Sequence, residues 1–535
     1  MAMFSLILKL RMKIPLAYFV IAAAVLGGCG SPKNDSPTAS KVSFSTDYKS
    51  ASFSDSNRRE KIKTAFPVID KIFRDYLEKN HFPAIAFGIV VDGELVYSNA
   101  SGTSNISSRI AATTKTDFRI ASMTKSFTAV SILKLRDEGK LSLQDPVSKY
   151  IPEVDRVTYL TQDSQPITIE HLLTMSAGFP EDNPWGDRQL ADTDQELLDF
   201  IKQGISFSNA PGLVFEYSNL GFGMLGKIVT SVSGKPYQQY INENILTPLQ
   251  MKDARWEFTA VPREQLALGY RWEDEQWKEE PILHDGTFGA MGGLICSVED
   301  FSKYIQFHLS AWPPRTGEES PVLKRSSLRE MHQLQRLGGI FPDNRTRRGE
   351  VCPVVTGYGY GLGLRIDCKS VVSVRHGGGL PGYGSEWRFF PELGIGIVSL
   401  SNLTYGGLGL PNAKALDTLI YMGGLKPRTL PVSSILQRRQ KEIVELLSSW
   451  SDEKLTILAE NFFLDQSLDS WKRTTTKMLE ASGKIVSVHT LNPENQLRGS
   501  FLIEGEKKNI HVFFTLTPEQ NPLIQQLDLT LLEKE

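Results

Sequence analysis

The feature that most constrains this chain is a helix with no wet side. From about Met123 to Glu138, apolar residues occur nearly all round, at Phe127, Val130, Ile132, Leu133 and Leu135, and Gly139 supplies a stop. Such a helix is expected in the interior of a domain. Yet Lys125 stands in its first turn, three residues after Ser122. A lysine in an interior helix needs a reason to be there.

Chemistry supplies one. Residues three apart share a helix face, so the Ser122 hydroxyl and the Lys125 amine become neighbours. The helix N-terminus adds unpaired N–H groups and a partial positive charge, which favour a developing oxyanion. Burial disfavours the charged amine, so the lysine can accept the serine proton. Spacing alone does not carry this reading. Ser451-Asp452-Glu453-Lys454 repeats it in a charged context that reads as a helix cap. Ser122 could serve as a cap too, and the apolar helix behind it is what separates the two.

The chain has 535 residues, 41% apolar and 22% charged, which suits two or three soluble domains. A net charge of -2 gives no basic field to recruit nucleic acid. No zinc-finger, P-loop or dinucleotide pattern occurs, and no cofactor or metal is implied. At the N-terminus, Lys9, Arg11 and Lys13 precede an apolar run from Ile14 to Leu26. That run is shorter than the roughly 20 residues of a membrane span and reads as a signal peptide, residues 1–28. Its end, Leu26-Gly27-Gly28-Cys29, resembles the lipobox of bacterial lipoproteins. The resemblance implies lipidation of Cys29 and anchoring in the cell envelope; Gly30 and Ser31 give no inner-membrane retention signal, which favours the outer membrane where there are two. The alternative is a plain signal peptide with an incidental cysteine.

Residues 29–58 are polar and read as a flexible tether. The main domain is expected over 59–425. It opens with a helix bearing Ile62, Phe66, Ile69 and Phe73, then a hairpin, Ala84–Val91 and Glu94–Ser98, turning at Asp92-Gly93. It closes with strands at Val371–Arg375, Ser385–Phe390 and Gly394–Ser399. Helices between two sets of strands indicate an α+β domain with a mostly antiparallel sheet. A linker over 426–433 leads to a small α+β accessory domain, 434–535. Helices are expected there at Gln437–Leu447 and Glu453–Phe463, with strands at Lys484–His489, Gln496–Ile503, Asn509–Leu516 and Ile524–Leu532. That domain offers no catalytic cluster and could bind a protein partner. Of the remaining cysteines, Cys352 and Cys368 flank Tyr358-Gly359-Tyr360-Gly361. A bridge closing that loop, or three buried thiols with Cys296, both stay open.

Phe118-Arg119-Ile120-Ala121-Ser122-Met123-Thr124-Lys125-Ser126-Phe127 resembles the nucleophile region of class C β-lactamases and DD-peptidases, whose motif is Ser-x-x-Lys. Gly139-Lys140-Leu141-Ser142 through Val147 and Ile167-Thr168-Ile169-Glu170-His171-Leu172-Leu173-Thr174 are similar to segments that follow it there. The second signature then continues Met175-Ser176-Ala177-Gly178 where the family has His-Thr-Ser-Gly. Tyr217-Ser218-Asn219 resembles the family's Tyr-x-Asn, and His376-Gly377-Gly378-Gly379 its third element. Ala290-Met291-Gly292-Gly293 also resembles the family and reads as structural. Decoys stand at Tyr97-Ser98-Asn99, on the expected hairpin, and at His284-Asp285-Gly286, without a preceding strand.

The resemblance implies a class C β-lactamase-like fold: an antiparallel sheet flanked by helices plus an all-helical region. It implies Ser122, Lys125 and Tyr217 as catalytic residues, with Tyr217 sharing proton transfer. Asn219, His376, Gly378 and Gly379 would bind substrate. The N–H groups of Ser122 and Gly379 would form the oxyanion hole. The family's β-lactamases usually carry Lys-Thr-Gly where this chain has His376-Gly377-Gly378, so the cation that binds a penicillin carboxylate is missing. The expectation is a serine acyl-hydrolase acting on esters, amides or D-amino-acid peptides. The alternatives are a true β-lactamase and a penicillin-binding sensor that never turns over.

Overall fold

The computed structural model describes residues 43–346 and 349–534. The chain divides into two compact units, residues 1–47 and 48–535. The expected signal peptide and Cys29 lie outside the described residues, and the second unit holds the domains. Residues 51–58, expected within the tether, are held by the main domain. Ser52 pairs with Thr429, and the guanidiniums of Arg58 and Arg428 lie 3.5 and 4.3 Å from the Phe53 ring. One aromatic among polar neighbours provides the anchor.

The first layer is an antiparallel sheet of nine strands. In chain order these are β1 (Ala84–Val91), β2 (Glu94–Asn105), β3 (Ile110–Ala111), β4 (Arg336–Phe341), β5 (Val354–Tyr358), β6 (Gly363–Ile366), β7 (Val372–Leu380), β8 (Tyr383–Phe390) and β9 (Ile395–Ser401). They lie in the order β3-β2-β1-β9-β8-β7-β6-β5-β4. The helices that frame the site are α1 (Phe66–Lys79), α2 (Lys125–Asp137), α3 (Asn219–Ser233), α4 (Val298–Leu309) and α5 (Gly409–Gly423).

β1 reads Ala-Ile-Ala-Phe-Gly-Ile-Val-Val and is buried along its length because both faces of the sheet are covered. Ile85, Phe87, Ile89 and Val91 join Ile395, Ile397, Phe73 of α1 and Leu416 of α5 in one core. Ala86 and Val90 turn the other way, with Val398, Leu400 and Trp387, into the larger core built on Phe127, Phe222 and Phe301. The period-2 alternation of each strand thus feeds two cores, and α2 lies inside the larger one. The domain is α+β, as expected.

Two local expectations change, and one open alternative is decided. The helix expected from Met123 is α only from Lys125. Ala121–Thr124 form a 3-10 turn, in which residues i and i+3 eclipse, so Ser122 and Lys125 come closer than an α-turn would bring them. The strand expected to stop at Arg375 runs through all three glycines to Leu380, because β8 pairs with it residue by residue from Val374 to Leu380. The Cys352–Cys368 disulfide forms, closing the open end of the β5–β6 hairpin. Cys296 is a buried free thiol.

The C-terminal module contains α6 (Ser434–Ser448) and α7 (Leu468–Ser482). A sheet joins β10 (Ile485–Val488), β11 (Asn492–Asn495), β12 (Arg498–Gly505), β13 (Lys508–Leu516) and β14 (Ile524–Glu533). The helix expected over Glu453–Phe463 is a single turn, Asp452–Leu455. Beyond it Ile457, Leu458 and Phe462 enter the core from irregular backbone that pairs with Ile524. The real helix, α7, is mostly polar, and its few apolar residues conceal it.

Candidate active site

The turn that carries Ser122 is held from two sides. Ala121 adopts φ +50°, a conformation that residues with a Cβ rarely take. Behind it, Ser385 Oγ on β8 donates to the Ile120 carbonyl at 2.7 Å. β7 passes close above this turn. A Cβ at Gly378 would collide with Ser385 Oγ, the Ile120 carbonyl and Ala121 Cβ, so the second glycine of the motif is a steric requirement. One at Gly379 would meet the Tyr405 ring.

Lys125 is fully buried, and its amine has three partners: Ser122 Oγ at 2.9 Å, Asn219 Oδ1 at 2.7 Å and the Met291 carbonyl at 3.0 Å. Burial draws its pKa down to about 7, against the opposing pull of Asp187 and Asp182. Near neutral pH it is a base that can hold or release a proton. The Ala290–Gly293 segment, expected to be structural, holds the lysine through the Met291 backbone carbonyl.

Tyr217 stands across from the pair. Its ring centroid is 5.0 Å from the Lys125 amine, and it lines the same cleft as Ser122. Burial pushes the phenol well above its ordinary pKa, with Asp187 and Asp182 adding to the rise. It therefore stays a neutral hydroxyl near neutral pH. Ser218, next in the chain, caps α3 and donates its N–H to Met175 Sδ at 3.3 Å. The methionine that departs from the family pattern thus braces this segment.

Asn219, expected to hold a substrate amide, is fully buried. Its Nδ2 donates to Asn183 Oδ1 and Asp187 Oδ1, both at 3.3 Å, which turns its carbonyl toward Lys125. Asp182 anchors the same corner by accepting from the N–H groups of Asn219 and Leu220 at 2.6 and 2.9 Å. Asn219 is a positioning group for the lysine here.

His376 lines the cleft with both ring nitrogens already used. Nδ1 lies 2.6 Å from the Gly377 carbonyl, which can only accept, so Nδ1 carries the proton. Nε2 then accepts from the Tyr358 hydroxyl at 2.9 Å. Burial, with Lys125 nearby, lowers the imidazole pKa to about 3. The ring is neutral and offers no cation to a substrate.

Ser122, Tyr217, His376, Gly378 and Gly379 share one cleft of about 500 Å³, with Lys125 and Asn219 beneath it. β6 pairs only with Val372–Arg375 of β7, so Gly377–Leu380 keep an edge without a strand partner beside Ser122. Four contributors escape sequence reasoning: Tyr358, Asp182, Asp187 and Arg375. Tyr358 lies in the loop that stands out for its flanking cysteines. The two aspartates stand in a loop with no motif. Neither decoy joins the cleft. Tyr97 and Asn99 bond Asp70, and His284 pairs with Glu257.

This fold, with a lysine buried under the serine of a 3-10 turn, defines the class of serine acyl-transferases and hydrolases. The Beta-lactamase family model matches residues 69–420, and the chain belongs to that family. Among curated relatives, Protein flp of Staphylococcus aureus (strain MW2) is 27% identical over 432 residues, covering 78% of each chain. Beta-lactamase-like protein 2 of Dictyostelium discoideum is 25% identical over 488 residues, covering 85% of this chain and 84% of its own. Among solved structures, the octameric penicillin-binding protein homologue from Pyrococcus abyssi superimposes with a TM-score of 0.57 at 22% identity, over 88% of this chain and 96% of that one. The penicillin binding protein from Bacillus halodurans gives 0.51 at 24% identity, over 66% and 98%.

Proposed function

We propose that this protein is a serine acyl-hydrolase that works through an acyl-enzyme on Ser122, anchored by lipid at Cys29 in the bacterial envelope. The observation that carries the reading is the 2.9 Å contact between Ser122 Oγ and a fully buried amine whose pKa falls to about 7. In the first step Ser122 Oγ attacks the acyl carbon and its proton passes to Lys125. The N–H groups of Ser122 and Gly379 stabilise the oxyanion. The proton reaches the leaving group through Tyr217 as the carbonyl re-forms. In the second step water attacks the acyl-enzyme and returns Ser122 to its hydroxyl form. Substrates are esters, amides or short D-amino-acid peptides. The neutral His376 argues against efficient β-lactam hydrolysis.

The test is hydrolysis of a chromogenic short-chain acyl ester by a soluble form beginning at Gly30, beside Ser122→Ala. Turnover by the unsubstituted protein is expected, with a loss of about 10³-fold or more in the variant. Equal inertness of the two sinks the general hydrolase reading and favours a non-catalytic binder.

A further inference from the structure

Arg375 stands one residue before His376 on β7, and strand alternation starts the two side chains toward opposite faces. On His376's face lie Gly378 and Ser385, against the nucleophile turn. On the other, Arg375 sits directly opposite Arg388 of β8, and opposite Gly363 of β6, which has no side chain to cover it. The cleft reaches past the strand to Arg375 and Gly363. Its lining runs from Ser122 and Tyr217 to Arg375, Glu386, Leu408 and Gly409.

This second lobe has an excess of cations. The guanidiniums of Arg365 and Arg388 both act on Arg375, and Glu386 is the carboxylate whose charge reaches it. Glu386 is already committed. One of its oxygens takes Arg388 at 2.6 Å and the other accepts from Asn412 Nδ2. Among the described residues, Arg375 has no hydrogen-bond acceptor of its own, although its side chain is half-buried. A guanidinium has five donors in a planar fork, and those of Arg375 face the cleft without a protein acceptor. A planar carboxylate satisfies two of them at once and neutralises part of the local charge.

We propose that the lobe at Arg375 binds a carboxylate carried by the acyl substrate, so that acidic esters and amides are preferred over neutral ones. The preference rests on the reading of Ser122 as nucleophile only for the covalent step, since binding of the carboxylate is independent of it. The subsite lies on the other face of β7 from the position that His376 occupies.

The experiment is calorimetric titration of the Ser122→Ala protein with monomethyl glutarate and, separately, with the neutral dimethyl glutarate. The acid should bind at least about tenfold more tightly, equivalent to ~1.4 kcal/mol, with the preference falling as salt rises. Adding Arg375→Gln should bring the ratio close to one, and Arg375→Lys should keep part of it. Equal affinities in Ser122→Ala, no binding of either ligand, or a preference that survives Arg375→Gln overturns the proposal. The first comparison needs no change at Arg375, so a poorly folded variant does not blunt it. Turnover of chromogenic esters without acid preference would sink the lobe and spare the hydrolase. An Arg375-dependent preference in a protein inert toward esters would do the reverse.

Discussion

The family domain and the C-terminal module bury polar groups in different ways. In the module, the core of Leu436, Ile443, Ile503, Val512 and Phe514 is apolar. Its buried polar side chains find local partners, as Thr475 does with Trp450 and Arg439 with Glu442. In the family domain, Ser122, Lys125, Asn219, Asp187 and His376 are buried together. Burying such groups is costly unless each is paired. Ser122, Lys125, Asn219 and Asp187 pair with one another in a connected network, and His376 is paired beside it by Tyr358 and the Gly377 carbonyl, so the cost of burial is offset. The contrast places chemistry in the first region and packing in the second.

The largest effect should come from the buried cation at the centre of the network. Lys125→Met removes the proton acceptor, and kcat/KM for an acyl ester should fall by about 10²–10⁴-fold. In the unsubstituted protein the rate should rise with pH through about 7, because Lys125 accepts a proton only in its neutral form, above its pKa. A flat profile between pH 5 and 9 would break the assignment of Lys125 as base.

The module should respond to the opposite kind of change. Phe514 is fully buried, and Phe514→Ala should destabilise the module by roughly 3–5 kcal/mol through lost burial and the cavity left behind. Ester hydrolysis per folded molecule should stay the same. A melting profile would show the loss, and a parallel collapse of turnover would mean that the two regions are coupled.

How much is legible in the sequence follows the same division. Ser122, Lys125, Tyr217, Asn219 and the glycines of β7 lie in short contiguous patterns, and local spacing brings each near the cleft. What escapes depends on long-range placement. Tyr358 reaches His376 only because β5 and β6 fold back as a hairpin, and Asp187 reaches Asn219 from a loop 32 residues away. The α+β class is readable because short apolar strand runs, one pair of them joined at Asp92-Gly93, flank the helical patterns. In the module, helix α7 is missed since its stripe is Trp471, Met478 and Leu479 among polar residues, and the segment 456–464 mimics a helix by being apolar.

The Cys352–Cys368 bridge ties that hairpin shut across 16 positions. Cys352→Ser with Cys368→Ser should cost about 3 kcal/mol by the loop-closure relation, measured as a lower denaturation midpoint. Turnover should weaken as well if the hairpin holds Tyr358 against His376. Unaltered turnover would show that strand pairing alone suffices.

The smallest effect is the most specific to the network. Asp187 does not touch Lys125, but it accepts from Asn219, whose carbonyl bonds the lysine, and its charge holds the lysine pKa up. Burial raises the Asp187 carboxyl itself to about 6. Asp187→Asn keeps the shape and removes the charge. Without that carboxylate the ammonium form of Lys125 is less favoured, so its pKa should fall further. A larger fraction of the amine is then neutral at any given pH, and the rising limb of the pH–rate profile should move to lower pH, by about one unit or less. An unmoved limb would mean that the charge of Asp187 is screened at the lysine. A shift of the limb with little change in the plateau rate is a signature that loss of packing alone would not produce, since misfolded molecules lower the plateau and leave the midpoint in place.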